Sequence, residues 1–224
     1  MKKLFICILA TVVFATYVTA QNILTASAFF QSVSERYGSI NDYEATLDIN
    51  ADGTRMSGNV SFKRPNLLRI DYTNPQEQVY LFNGDMLTVY LPGIATTLQQ
   101  SLPSSSDAAG MNLATPQGLA LLNRYYTVAY EIGQNAVPLS ESNQELVVKL
   151  VLYPKNASEG FRSIRIAILP ESKLIRRVEA ATRQGAVFEL VFSNYSLNQD
   201  IPDQRFVYDA PSSANNFNNF LFSE

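Results

Sequence analysis

The sequence predicts an α+β protein made mainly of strands: one large, strongly curved antiparallel sheet of about eleven strands, with two helices. Three observations lead there. From residue 42 onward, apolar side chains recur at every second position, the period of a strand with one buried face. The turn dipeptides Asp52-Gly53 and Asn83-Gly84 separate successive runs at hairpin spacing. Helical spacing occurs only twice, over residues 23–38 and 116–124.

The first helix follows from Phe29, Phe30, Val33 and Tyr37, which share one helical face, with Thr25 or Ser27 as its cap. The period then changes to two. Tyr43, Ala45, Leu47 and Ile49 alternate with Glu44, Thr46, Asp48 and Asn50. After the Asp52-Gly53 turn, Met56, Gly58, Val60 and Phe62 oppose Arg55, Ser57, Asn59, Ser61 and Lys63. A third run sets Leu68, Ile70 and Tyr72 against Arg69, Asp71 and Thr73. Three strands with one apolar and one strongly polar face describe an antiparallel meander with one wet side.

Strands over 77–83, 86–91 and 94–100 come next. Residues 101–114, SLPSSSDAAGMNLA, form a loop long enough to be either mobile or functional. Thr115-Pro116 opens the second helix, with proline at its favoured first position and Leu119, Leu122 and Tyr126 on one face. Further strands fall near 126–132, 145–153, 161–169, 173–183 and 186–198. The runs Leu146–Leu152 and Val187–Phe192 are apolar on both faces or nearly so. The tail, 212–224, carries Phe217, Phe220, Leu221 and Phe222 among asparagines and shows no clear extra strand. Nothing marks a domain boundary.

At the N-terminus, Lys2 and Lys3 precede Leu4–Val18, where 13 of 15 residues are apolar, and Val18-Thr19-Ala20 closes the run. This is the layout of a secretory signal peptide cut after Ala20, and fifteen residues fall short of the roughly 20 that span a bilayer as a helix. Residues 1–20 are therefore expected to be a signal and 21–224 a single exported domain. Removing residues 1–20 takes away two lysines, no acid and the lone cysteine, Cys7, so the net charge moves from −3 to about −5. Cys7 lies too early, with no small residue before it, to look like an acylation site.

Composition excludes several chemistries. Among 224 residues there is no histidine, so there is no imidazole base, no Ser-His-Asp constellation and no histidine metal site. The motifs of nucleophile elbows, P-loops and dinucleotide folds are absent. Asp48 to Gly53 imitates the start of a calcium loop, but its twelfth position is Asn59 instead of glutamate, and the flanks read as strand. A hairpin turn is the better reading. The acids mostly alternate outward, so no carboxylate pair stands out. No enzyme, cofactor or metal is expected, and an acidic surface without a basic stripe argues against nucleic acid and anionic lipid surfaces. The concave side of a curved sheet must still be filled, either by a closed core or by an apolar ligand; composition alone does not separate these.

Residues 58–100 carry a more specific pattern: Gly58, then Arg64-Pro65, Leu67 to Tyr72, Pro75, Asn83-Gly84 and Tyr90-Leu91-Pro92. Phe192-Ser193-Asn194-Tyr195 and Phe206-Val207-Tyr208-Asp209-Ala210-Pro211 close the chain in the same style. This pattern resembles the LolA family of outer-membrane lipoprotein carriers. The resemblance implies an unclosed β-barrel of about eleven strands with a helical lid over an apolar cavity. It implies a monomeric periplasmic shuttle, which takes acylated lipoproteins from an inner-membrane lipoprotein-releasing ABC transporter and passes them to an outer-membrane acceptor. Arg64, matching the arginine of the family's Arg-Pro motif, is implied to hydrogen-bond the lid-helix backbone in the closed state. By spacing, the inward-facing candidates for the apolar cavity are Leu47, Ile49, Val60, Phe62, Leu68, Ile70, Val89 and Leu91, with Leu119 and Leu122 from the lid. The alternative is a LolA-like module that binds or senses another lipophile.

Overall fold

A computed structural model describes residues 24–102 and 114–220. The expected signal segment, most of the 101–114 loop and residues 221–224 lie outside the described residues.

Helix α1 (Ala26–Ser39) begins at Thr25, whose hydroxyl accepts from the Ala28 N–H at 3.1 Å, so Thr25 and not Ser27 is the cap. Phe29, Phe30, Val33 and Tyr37 form its buried face, as their spacing predicts. Helix α2 (Pro116–Tyr125) is capped in the same way by Thr115, which accepts from Gly118 N–H at 3.1 Å, with Pro116 in the first turn where no N–H is needed.

Among the described residues there are thirteen strands, in chain order β1 (Asp42–Ala51), β2 (Thr54–Lys63), β3 (Leu67–Asn74), β4 (Val79–Phe82), β5 (Met86–Leu91), β6 (Thr96–Ser101), β7 (Tyr126–Tyr130), β8 (Val137–Pro138), β9 (Leu146–Pro154), β10 (Phe161–Ile168), β11 (Ile175–Thr182), β12 (Val187–Leu197) and β13 (Asn215–Asn218). Eleven of them are the strands the alternation predicts; β8 and β13 are the short additions. The hydrogen-bonded order is β13-β6-β5-β4-β3-β2-β1-β12-β11-β10-β9-β7, with β8 beside β9. Strands β13 and β7 stand at the two ends of this path, so the sheet is an unclosed barrel. The β1–β12 pairing joins its two halves.

Every pairing is antiparallel except one. β13 runs parallel to β6, with Asn215 beside Thr96 and Asn218 beside Gln99. This corrects the expectation that the tail holds no further strand. Asparagine is depleted in strands, and a four-residue element shows too little alternation to read. Backbone bonds at either end define it: Asn215 N–H to Ala95 O and Asn219 N–H to Gln99 O, both 2.8 Å.

The Asp52-Gly53 turn joins β1 to β2, with φ of 49° and 89° at its two residues and Asn50 Oδ1 accepting from Gly53 N–H at 3.0 Å. Positive φ at both central residues matches the twist of a two-residue hairpin, so Asp48 to Gly53 is a turn. Register shifts at Glu44/Thr46, Ser57/Gly58 and Phe161/Ser163 bend individual strands, which is how a sheet acquires local curvature.

The polar face of the first meander is less wet than its alternation suggests. Residues 201–214 cross it. Arg205 pairs with Asp71 at 2.6 Å and donates to Ser61 Oγ at 3.2 Å, while Arg69 donates to Arg205 O and Val207 O at 2.9 and 3.1 Å. Lys63 donates to Ile201 O at 2.7 Å. Beside these contacts Ile201 and Phe206 bury Val79, Leu81 and Tyr90 in a second, outer apolar layer. The outward charges of β2 and β3 thus hold the returning chain instead of facing water alone.

Candidate functional site

Both helices seat their apolar faces on the concave side of the sheet. Phe30, Val33 and Tyr37 of α1 and Leu119 and Leu122 of α2 join one core with Tyr43, Leu47, Phe62, Leu150, Leu152, Ile164 and Ile166. Polar contacts then fix each helix. The Tyr37 hydroxyl accepts from Ile175 N–H at 3.1 Å and lies 3.2 Å from the Tyr195 hydroxyl, which donates to Ile175 O at 2.9 Å. With the Tyr195 proton on that carbonyl, Tyr37 is the donor between the two hydroxyls. Tyr43 donates to Ala114 O at 3.0 Å, just ahead of α2. Burial pushes Tyr37 up to about 12 and Tyr43 and Tyr195 well above the ordinary tyrosine value. These phenols stay neutral near pH 7 and serve as hydrogen-bonding pins.

At the surface, cations meet the carbonyl ends of both helices. Arg64 Nη1 donates to Gly38 O, in the last turn of α1, at 2.6 Å. Lys155 Nζ donates to Asn123 O and Arg124 O of α2 at 3.1 and 3.0 Å. A cation is favourable at a helix C-terminus because the free carbonyls and the dipole there are both negative. The Gln117 side chain donates to Pro65 O, so the β2–β3 turn touches α1 through Arg64 and α2 through Pro65.

Beneath α2 lies a cavity of about 890 Å³. Leu121, Leu122 and Tyr125 form its roof, and Ile164, Ala180, Phe188 and Leu190 its floor. Register brings the floor together: Ile164 opposes Ala180, Ala180 opposes Phe188, and Val178 opposes Leu190 one rung away. Asn156, Ser158 and Glu159 from the β9–β10 loop supply a polar rim. An apolar-walled space of this size, part aliphatic and part aromatic, suits a ligand that offers little to hydrogen-bond.

The sequence candidates divide among three places. Leu47, Val60, Phe62, Leu68 and Leu119 are fully buried in the core. Leu122 is buried there too and also lines the cavity. Ile49 and Ile70 are half-buried against the core, while Val89 and Leu91 occupy the same concave face by register, opposite Tyr80 and Thr96 respectively, and are half-buried. The cavity floor comes instead from β10–β12, and Phe188 and Leu190 were missed. Their signal was present in the run Val187–Phe192, apolar on both faces or nearly so: Phe188 and Leu190 share one face of the strand and need something to meet them.

Among the described residues no cluster of histidine, cysteine and carboxylate side chains could hold a metal ion, and no helix is long and apolar enough to cross a membrane. An unclosed antiparallel barrel with a two-helix lid over an apolar cavity defines the class: a lidded binding fold. Residues 50–209 match the family model of the outer membrane lipoprotein carrier protein LolA, and the chain belongs to that family. It is 26% identical over 171 residues to an outer-membrane lipoprotein carrier protein of Pseudomonas putida (strain GB-1), covering 75% of this chain and 76% of that one. It is 27% identical over 146 residues to the protein of that name from Haemophilus ducreyi, covering 64% and 61%. Among solved structures it is similar to an uncharacterized conserved protein from Thermus thermophilus, with a TM-score of 0.56 at 14% identity over 84% of this chain and 98% of that one. It is also similar to the Pseudomonas aeruginosa MucA/MucB complex structure, at a TM-score of 0.51 and 12% identity over 83% and 61%. These two likenesses concern the fold alone.

Proposed function

We propose that this chain is a periplasmic carrier that holds the acyl chains of lipoproteins in its apolar cavity and moves them from the inner to the outer membrane. The observation that carries the proposal is the apolar cavity beneath α2 in a member of this family. Residues 1–20 serve as the cleaved signal and 21–224 as the carrier, which acts as a monomer without cofactor or catalysis. Its partners are acylated lipoproteins, an inner-membrane lipoprotein-releasing ABC transporter and an outer-membrane acceptor. Burying each methylene is worth about 0.8 kcal/mol, so one long acyl chain supplies on the order of 10 kcal/mol gross. Because cargo leaves one apolar surrounding for another, the net affinity is modest and hand-over is reversible.

The concave residues Leu47, Ile49, Val60, Phe62, Leu68, Ile70, Val89 and Leu91, with Leu119 and Leu122, form the apolar surface available to cargo as the lid moves. Arg64 latches the closed lid through Gly38 O. Mass spectrometry of material copurifying with the exported chain tests the proposal: acylated protein should be present, and its absence from chain isolated from its host would overturn the reading. For the latch, Arg64→Leu removes one exposed charged hydrogen bond worth about 0.5–1 kcal/mol, raising the open fraction about two- to fivefold. Amide exchange over residues 36–40 should accelerate and cargo transfer to the acceptor should slow. Unchanged exchange and transfer would remove Arg64 from the mechanism.

A further inference from the structure

One rung of the sheet runs without interruption from the core to the open edge. Ladder pairing sets Val60 opposite Ile70, Ile70 opposite Tyr80, Tyr80 opposite Val89, Val89 opposite Leu98, and Leu98 beside Phe217 of β13. Directly paired residues point to one face. Val60 belongs to the core under the lid, so all six lie on the concave side. Burial differs between the two ends of the rung: Val60 is buried, the next four are half-buried, and Phe217 is 55% exposed. Alternation sends the neighbours of Phe217 the other way, and Asn216 lines a polar pocket on the outer face with Thr88 and Thr97.

Strand β13 therefore adds one large apolar side chain to the concave face and only amides to the outer one, although all four of its residues are exposed. A phenylalanine ring placed at the end of an apolar rung gains by being covered. From Ile70 to Phe217 the rung crosses four strand spacings, about 19 Å, comparable to the reach of a long extended acyl chain.

We infer that β13 extends the cargo-binding face by one strand and that Phe217 contacts the acyl chain, which lies across the strands from Ile70 toward the open edge. The identity of the occupant as an acyl chain rests on the function proposed above; the placement along this rung rests on register and burial. This acyl chain lies apart from the acyl site in the α2 cavity, so the acyl chains of the cargo occupy two places on the sheet, and the tail takes part in one of them.

The chain contains no tryptophan, so Phe217→Trp creates a single tryptophan, which can be excited at wavelengths the tyrosines do not absorb. Titrating that variant with doxyl-labelled stearate should quench it saturably, while Val207→Trp, exposed on the outer face, should stay bright. Phe217→Ser should weaken cis-parinaric acid binding about three- to tenfold, the value of covering part of an aromatic ring. Quenching no deeper than the Val207→Trp control, or an unchanged affinity in Phe217→Ser, overturns the inference while wild-type binding of parinarate leaves the carrier reading standing. Failure of the wild-type chain to bind parinarate overturns both.

Discussion

Replacing Gly58 by valine is expected to cost about 2–3 kcal/mol of stability and to lower the thermal midpoint by roughly 5–10 °C, read by circular dichroism. A Cβ at this position would stand 2.5 Å from Asp71 O and 2.9 Å from Tyr72 Cα. Both are backbone atoms, and neither can swing aside as a side-chain tip could. Strand β3 is also held in place from outside. Asp71 takes a two-atom contact from Arg69, at 2.8 Å in its shortest bond, and a second cation from Arg205 at 2.6 Å. The strands approach closely here because the β2–β3 register shifts between Ser57 and Gly58. Gly93→Ala is the control: no atom lies within 4 Å of its added Cβ, and its effect should stay within about 0.5 kcal/mol. An unaltered midpoint in Gly58→Val would mean that the two strands can part without cost.

The second large effect concerns binding. Leu190→Glu should reduce the affinity of the α2-cavity site for a fluorescent fatty acid more than tenfold at pH 7 while leaving the chain folded. Leu190 lines the cavity and is half-buried, so a carboxylate placed there retains some water in the empty cavity but would lose it against an alkyl ligand. Stripping a charge of water costs several kcal/mol. Burial by ligand disfavours the charged form and raises the pKa of the new acid, so affinity should partly return as the pH falls below about 5 and the group protonates. Val191→Glu is the companion variant. It lies one residue away on the opposite face, paired with Asp48 and Arg177, and should bind as the wild type does. Unchanged stoichiometry and affinity in Leu190→Glu would mean that the α2 cavity takes no ligand.

Much of the fold was legible because strand and helix periods are local. Tyr43, Ala45, Leu47 and Ile49 announce an inward face whatever their strand pairs with, and Thr115, like the Thr25–Ser27 pair, announces a helix start through a side-chain oxygen. Two parts were not legible. β13 has little alternation, and a parallel pairing with a strand more than a hundred residues earlier leaves no local trace. The floor of the α2 cavity was not singled out because the alternation of β1–β3 is cleaner than that of β10–β12. Clean alternation marks a strand with one wet side; it does not mark where space remains beneath a lid. Val60 and Phe62 have faultless patterns and are packed solid.

By itself the sequence determined the α+β class, the eleven principal strands, the two capped helices, the absence of histidine chemistry and an arginine at the β2–β3 turn. Only the tertiary structure decided where the empty volume lies, which carbonyl Arg64 reaches, and that the tail adds Phe217 to the concave face. The reason is physical. Secondary structure answers to neighbours within a few residues, whereas a cavity is the volume left over when α2, β10, β11 and β12 have been placed. That volume depends on registers between strands far apart in the chain, which no local pattern encodes.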